Sequence, residues 1–255
     1  MKLSQKTKKG GNLVSVAIYS RPLPRDTKAQ RAEKHRVTCE AQRKINNKTR
    51  YGNLAFLLSA NFNQFKDFFI TLSYEEEFAP ITRKAAIKNE QGFIRRLRDM
   101  RKKRGVDMKY IVVTEGKHGE KKFHHHLIIN ATDFSQDLKD IRRAWGFGHV
   151  EIETLFNSNH CDSSWMAIAK YLSKERPVDG PDVTPVGARI YSCSRNLIHP
   201  KAVYEIVEEE EQAQIPKDVE IIEQGESQTF VDGMPISIRY FTYQLKPRPA
   251  HYMRR

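Results

Sequence analysis

Three consecutive histidines, His124, His125 and His126, stand inside the apolar run 123–129. A short run of this kind reads as a buried strand, where a titratable ring is costly unless it finds a polar partner. Successive side chains on a strand point to opposite faces, so His124 and His126 share one face and His125 takes the other. Their positions on the shared face are about 7 Å apart along the strand, close enough for two imidazoles to close on one metal ion. A surface strand in a basic protein is the plainer reading, and two further features weigh against it.

The preceding apolar run, 110–114, ends at Glu115. Residues 116–121 are polar with two glycines, the composition of a hairpin connection. Folding there brings Glu115 to within a residue or so of the pairing position of His124. A glutamate at a strand end is ordinarily a solvated rim charge. Facing two histidines, it completes an imidazole–imidazole–carboxylate set that leaves metal positions open for water or substrate.

Residues 165–175 follow as a predicted helix, with Ser163 and Ser164 as N-cap candidates and Pro177 as its stop. Trp165, Ile168, Ala169 and Leu172 form the buried stripe, Tyr171 lies at its edge, and Lys174 lies one turn on. That places a hydroxyl and an ammonium together at the rim of whatever the helix covers. A Tyr-x-x-Lys pair alone is more often a rim aromatic beside a snorkelling lysine.

In this order the pieces resemble the HUH endonucleases, specifically the single-tyrosine replication initiators of rolling-circle elements in bacterial phages, plasmids and integrated elements. The early strand motif matches residues 68–74, the metal motif matches His124, His125 and His126 with Glu115 before it, and the Tyr-x-x-Lys helix matches 171–174. Asn61, Phe62 and Asp67 ahead of the Thr71-Leu72 strand, and the segment 189–196, add to the likeness, which covers roughly 55–200. The central position of the metal motif is apolar in that family and is His125 here; strand alternation assigns the ion to His124 and His126.

The resemblance implies a cleavage of single-stranded DNA at an origin hairpin. Glu115, His124 and His126 would hold Mg²⁺ or Mn²⁺, histidine ligands favouring Mn²⁺ and cellular abundance favouring Mg²⁺. Tyr171 would attack in line, leaving a 5′-phosphotyrosine and a free 3′ hydroxyl, with Lys174 favouring the phenolate. Arg95, Arg98, Lys170, Arg189 and Arg195 are the expected DNA contacts. No Gly-x-x-x-x-Gly-Lys-Ser/Thr stretch occurs, so a separate host helicase is the expected unwinding partner.

Charge agrees with a polyanionic partner. The chain carries a net charge of +13. Residues 1–60 hold fourteen lysines and arginines against Asp26, Glu33 and Glu40, and a second basic cluster closes the helix expected over 82–103. Residues 205–226 reverse the sign, with nine acids against Lys217, and read as a solvated helix or linker. Cys39, Cys161 and Cys193 are scattered, which fits a reducing cytoplasm. No apolar run is long enough to span a membrane, and no apolar leader core follows Met1.

Strands are predicted over 66–74, 108–115, 121–130 and 149–154, with helices over 82–103, 134–144 and around Tyr171. This is an α+β chain, an antiparallel sheet with helices packed on it, of the ferredoxin-like or RRM-like kind that an HUH endonuclease core has. The expected division is a flexible basic extension at 1–50 with helix only from 29 to 44, an endonuclease domain at 51–200, and an acidic then basic extension at 201–255 with a hairpin near Asp232-Gly233. Three readings stay open beside the initiator: a single-strand transposase or relaxase, a non-enzymatic RRM-like binding module, and a hydrolytic metal nuclease in which Tyr171 only packs. Relaxases place their tyrosine before the histidines, and here it comes after. An RRM-like module wants exposed aromatics on its central strands.

Overall fold

The computed structural model describes residues 2–20, 40–116, 122–155, 164–173, 190–231 and 234–246. In chain order its regular elements are β1 (Lys2–Gly10), β2 (Leu13–Tyr19), α1 (Glu40–Asn61), β3 (Phe68–Ser73), α2 (Arg83–Lys103), β4 (Tyr110–Glu115) and β5 (His124–Ile129). Then come α3 (Phe134–Trp145), β6 (Val150–Thr154), α4 (Trp165–Leu172), β7 (Ser192–Cys193), β8 (Ala202–Glu208), β9 (Val219–Val231) and β10 (Met234–Leu245), with short 3₁₀ turns at Glu76–Phe78 and Glu209–Glu211. The chain divides into two units, Asn61–Leu197 and Met1–Ala60 with Ile198–Arg255.

The central unit holds the sheet β6-β3-β5-β4-β7, antiparallel at every junction. Within the β-α-β-β-α-β order, the strands lie fourth, first, third, second, which is the ferredoxin-like arrangement, and β5 is the middle strand. Alternation divides each strand between two faces. Phe68, Ile70, Leu72, Val112, Leu127 and Ile129 meet Phe93 and Leu97 of α2 and Ile141 and Trp145 of α3 in one core. Each such side chain contributes about 1.5–3 kcal/mol by leaving water. Tyr171 of α4 meets Phe69 and His126 on the other face.

Caps fix the helix ends. Thr82 accepts from the amide of Ala85, and Asp133 accepts from the amide of Gln136 at 2.8 Å. α3 stops at Gly146, whose φ of 66° is the left-handed C-terminal conformation that glycine adopts without strain. Arg101, with no exposed side-chain surface, pairs with Asp137 at 3.1 Å and donates to the Asn130 carbonyl at 2.8 Å, tying α2 to α3 and to the end of β5.

The flanking unit corrects two expectations. Residues 1–50 are not a plain flexible extension: β1 and β2 lie inside the five-stranded antiparallel sheet β8-β1-β2-β10-β9. Val14, Val16 and Ile18 alternate in period two and join Leu3 and Phe241 in a core. The signal is short, and the lysines of β1 hide its neighbour, because their stems lie along the sheet while the ammonium groups stay wet. Lys8 donates to Asn53 at 2.6 Å and its Nζ lies 4.8 Å over the Phe56 ring, so α1 packs beside the β1–β2 turn. Gly11 at that turn has φ +55°, and a Cβ there would stand 1.9 Å from the Ser59 carbonyl oxygen. Helix is present from Glu40 on, running to Asn61 rather than stopping at 44; residues 29–39 of the expected helix lie outside the described residues.

The acidic stretch 205–226 is likewise not a helix or linker, since β8 and most of β9 occupy it. Its glutamates alternate with Ile206, Val207, Ile221 and Ile222, and Lys48 pairs with Glu223 across the unit. The expected hairpin is formed, with Val231 opposite Met234; Asp232 and Gly233 lie outside the described residues. Extensions expected to be separate therefore meet in one sheet.

Candidate metal centre and its tyrosine

The hairpin β4–β5 sets Glu115 directly opposite His124, Thr114 opposite His125 and Val113 opposite His126. One face of this ladder gathers Glu115, His124 and His126, whose potential ligand atoms all lie within 4.8 Å of one another. The Glu115 carboxylate is 3.7 Å from Nε2 of His124 and 3.8 Å from Nε2 of His126. Donors bound about 2.1 Å from a common ion sit about 3–4 Å apart, so the set fits one metal ion with small adjustments.

Hydrogen bonds orient both rings. Nδ1 of His124 lies 3.3 Å from the Lys122 carbonyl, which can only accept, so the proton sits on Nδ1 and Nε2 keeps its lone pair for a metal. Nδ1 of His126 lies 3.3 Å from the Thr71 hydroxyl. Thr71 pairs with His126 across β3 and β5, which is why the two side chains share a face.

Tyr171 reaches the same place from α4. Its buried stripe is Trp165, Ile168, Ala169 and Leu172, and Ser164 caps its start. The Tyr171 hydroxyl lies 3.2 Å from Nε2 of His126, and its ring packs edge-on against His126 at 5.1 Å and Phe69 at 6.0 Å. The hydroxyl thus stands at the ligand cluster.

His125 faces the other way. It is wholly buried, with Nε2 2.8 Å from the Tyr74 hydroxyl and Nδ1 2.9 Å from the Thr114 hydroxyl. Burial first, with the flanking imidazoles and Arg83 adding to it, pushes its pKa down to about 3, so the ring is neutral.

Other residues singled out in the sequence are spread over the molecule. Lys170 is exposed on α4, while Arg95 and Arg98 on α2 and Arg195 after β7 border a cleft on the opposite side of the sheet. Lys174 and Arg189 lie outside the described residues. The basic run closing α2 is less available than its composition suggests. Arg96 donates to the Ala144 carbonyl at 2.9 Å, Arg101 pairs with Asp137, and Arg104 pairs with Asp140 at 2.8 Å.

Sequence reasoning passed over Thr71, which becomes visible only once the β3–β5 register is known. It also passed over Glu90, which falls in the α2 stripe Ala86, Glu90, Phe93, Ile94, Leu97. A lone acid in a buried stripe was the available signal.

Among the described residues no helix is long and apolar enough to cross a membrane. No curated protein and no solved structure matches the chain. Residues 67–176, which hold β3 through α4 and all four site side chains, match the family model of the replication-associated protein ORF2. The chain is in this part similar to replication-associated proteins, and the match supports a role in DNA replication.

Proposed function

We propose that this chain starts rolling-circle replication by nicking single-stranded origin DNA, with Tyr171 as nucleophile, in the manner of the HUH endonucleases. The observation that carries the reading is the Tyr171 hydroxyl 3.2 Å from His126 at the edge of a three-ligand cluster. A rim tyrosine that only packed would have no reason to aim its oxygen there.

Glu115, His124 and His126 would hold Mg²⁺ or Mn²⁺, which when bound supplies Lewis-acid polarisation of the phosphodiester and neutralises its charge. The chain's own groups do the rest. Phe69 and His126 fix the tyrosine ring, limiting the directions its oxygen can take. Attack of the phenolate oxygen forms an O–P bond and breaks the bond from phosphorus to the 3′ oxygen. That oxygen takes up a proton and leaves as a 3′ hydroxyl, while the 5′ phosphate stays on Tyr171. The ester keeps the phosphodiester bond energy, so the same tyrosine can later rejoin ends. A free phenol has a pKa of about 10, and Lys174, one turn on in the sequence, would favour the phenolate. Lys170 and Arg189 would steady the strand being cut, and unwinding falls to a separate helicase.

The test is incubation with end-labelled single-stranded oligonucleotides and Mn²⁺, followed by denaturing electrophoresis. A protein–DNA adduct is expected, and Tyr171→Phe should lose adduct and nicking together, by about a thousandfold or more, with its thermal stability nearly unchanged. Lys174→Ala should slow the reaction and keep the adduct. Nicking by the phenylalanine variant would make water the nucleophile and the protein a hydrolytic nuclease.

A further inference from the structure

A cleft of about 1070 Å³ opens on the other side of the central sheet, between α2 and residues 192–196. Its wall includes Tyr110, which belongs to the core under α2, so it is separated from Glu115, His124 and His126 by the sheet itself. Arg95, Arg98 and Lys102 project into it from α2, and Arg195 faces them from beyond β7.

These cations differ from their neighbours on the same helix. Arg101 and Arg104 are neutralised by Asp137 and Asp140. Among the described residues, no acid pairs with Arg95, Lys102 or Arg195. Arg98 is steadied by the Tyr110 hydroxyl at 3.4 Å, with its guanidinium 6.0 Å over the ring. Two acids also line the cleft, Asp107 at its mouth and Glu90. Burial pushes Glu90 up to about 7, which keeps that carboxyl largely uncharged near neutrality and removes most of its repulsion toward an anion.

We propose that this cleft is a second nucleic-acid site, gripping successive phosphates of a strand segment other than the one being cut. Arg95, Arg98 and Lys102 stand at i, i+3 and i+7, one helix face spanning about 10 Å. A row of that length suits an extended phosphate backbone better than one isolated phosphate, and arginine forks match phosphate oxygens in pairs. A site on this side lets the protein hold one part of the DNA while Tyr171 works on another. The grip would also persist when the cleavage centre is broken.

Cys193 lines the cleft and serves as its reporter. The full chain is alkylated with iodoacetamide at low salt, and Cys193 is followed by peptide mass spectrometry, with a dodecathymidylate or thymidine monophosphate as probe. The oligonucleotide should slow Cys193 alkylation at least fivefold, in the wild type and equally in His124→Ala. The monophosphate at the same phosphate concentration should not. In the triple variant Arg95→Gln, Arg98→Gln, Lys102→Gln the protection should vanish while circular dichroism stays unchanged. The slope of log affinity against log salt should become shallower by about two for three lost phosphate contacts to a single strand. Protection that survives the triple variant, or an unchanged salt slope, overturns the proposal. Equal protection by the monophosphate makes the cleft a pocket for one phosphate and overturns the strand reading. Retained protection in His124→Ala separates this inference from the nicking reaction, which that variant should lose.

Discussion

On β5, His125 turns toward the core under α2 and α3, while His124 and His126 turn toward Glu115 and Tyr171. The residues are adjacent and chemically the same, yet their surroundings ask opposite things of them. On the helix-covered side, burial favours uncharged forms: His125 falls to about 3, Glu90 rises to about 7 and Tyr74 rises to about 12. On the other side the imidazoles are aimed by hydrogen bonds toward a carboxylate and a phenol, with lone pairs turned outward. One side uses polar groups to specify packing, and the other uses them for chemistry. The period of a strand is what keeps the two from mixing.

The largest expected effect separates the two sides by mutation. His124→Ala should abolish the rise in melting temperature produced by Mn²⁺, because a ligand that binds only the folded state stabilises it by mass action. Without metal its stability should change by less than about 1 kcal/mol, since the ring is partly exposed. His125→Ala should do the reverse. It leaves a cavity and takes a partner from the Tyr74 and Thr114 hydroxyls, costing about 2–4 kcal/mol in chemical denaturation, while Mn²⁺ still raises the melting temperature. A His125 variant that keeps its stability but no longer responds to metal would show that the two sides act as one unit.

A smaller, pH-dependent effect tests the helix-covered side alone. Unfolded, Glu90 releases its proton near 4.5, and folded it holds it up to about 7. The folded state therefore binds more protons between those values, so stability falls as pH rises from 4.5 through 7 and then levels. Burial causes this and outweighs a hydrogen bond from Ser192. Glu90→Gln should remove the slope, matching the wild type near pH 4.5 and exceeding it at pH 8 by about 3 kcal/mol or somewhat less. His125 acts with the opposite sign, since its lowered pKa costs stability as pH falls from 6.5 toward 3. Equal pH dependence in wild type and Glu90→Gln would show that Glu90 is hydrated rather than buried.

How much of this could be read in advance follows from the same contrast. Alternation and helical spacing need no tertiary knowledge, so the central strands, α2, α3 and the stripe of α4 were legible. The convergence of Glu115 with His124 and His126 needed only a hairpin. The flanking sheet was not legible, because its strands come from opposite ends of the chain. β1 pairs with β8 nearly two hundred residues away, and no local pattern announces such a partner. Lysine-rich β1 and glutamate-rich β8 each look solvated in isolation; side by side they offset one another's charge, with Lys6 lying over Tyr204 at 5.6 Å. It follows that deleting residues 1–50 would remove two strands of a five-stranded sheet, and would be a test of folding before it is a test of DNA binding.

The smallest effect concerns the hydroxyl that orients a metal-facing ring. Thr71 sits opposite His126, its Oγ1 3.3 Å from Nδ1, while Nε2 faces Glu115 and Tyr171. If Nδ1–H donates to Thr71, the lone pair is held on Nε2, where a metal needs it. Thr71→Val keeps the branched shape that the strand prefers and removes the acceptor. Partners of this kind are typically worth about 10–100-fold in metal affinity, and the long contact here points to about tenfold. Thr71→Ser restores the hydroxyl and should restore the affinity, which a purely steric role would not do. Mn²⁺ titration followed by calorimetry reads both variants without any DNA present. Should Thr71→Val bind Mn²⁺ as the wild type does, the orientation of His126 rests on its packing against Phe69 and Tyr171 instead. The division between the two sides of β5 would then be drawn by shape rather than by hydrogen bonds.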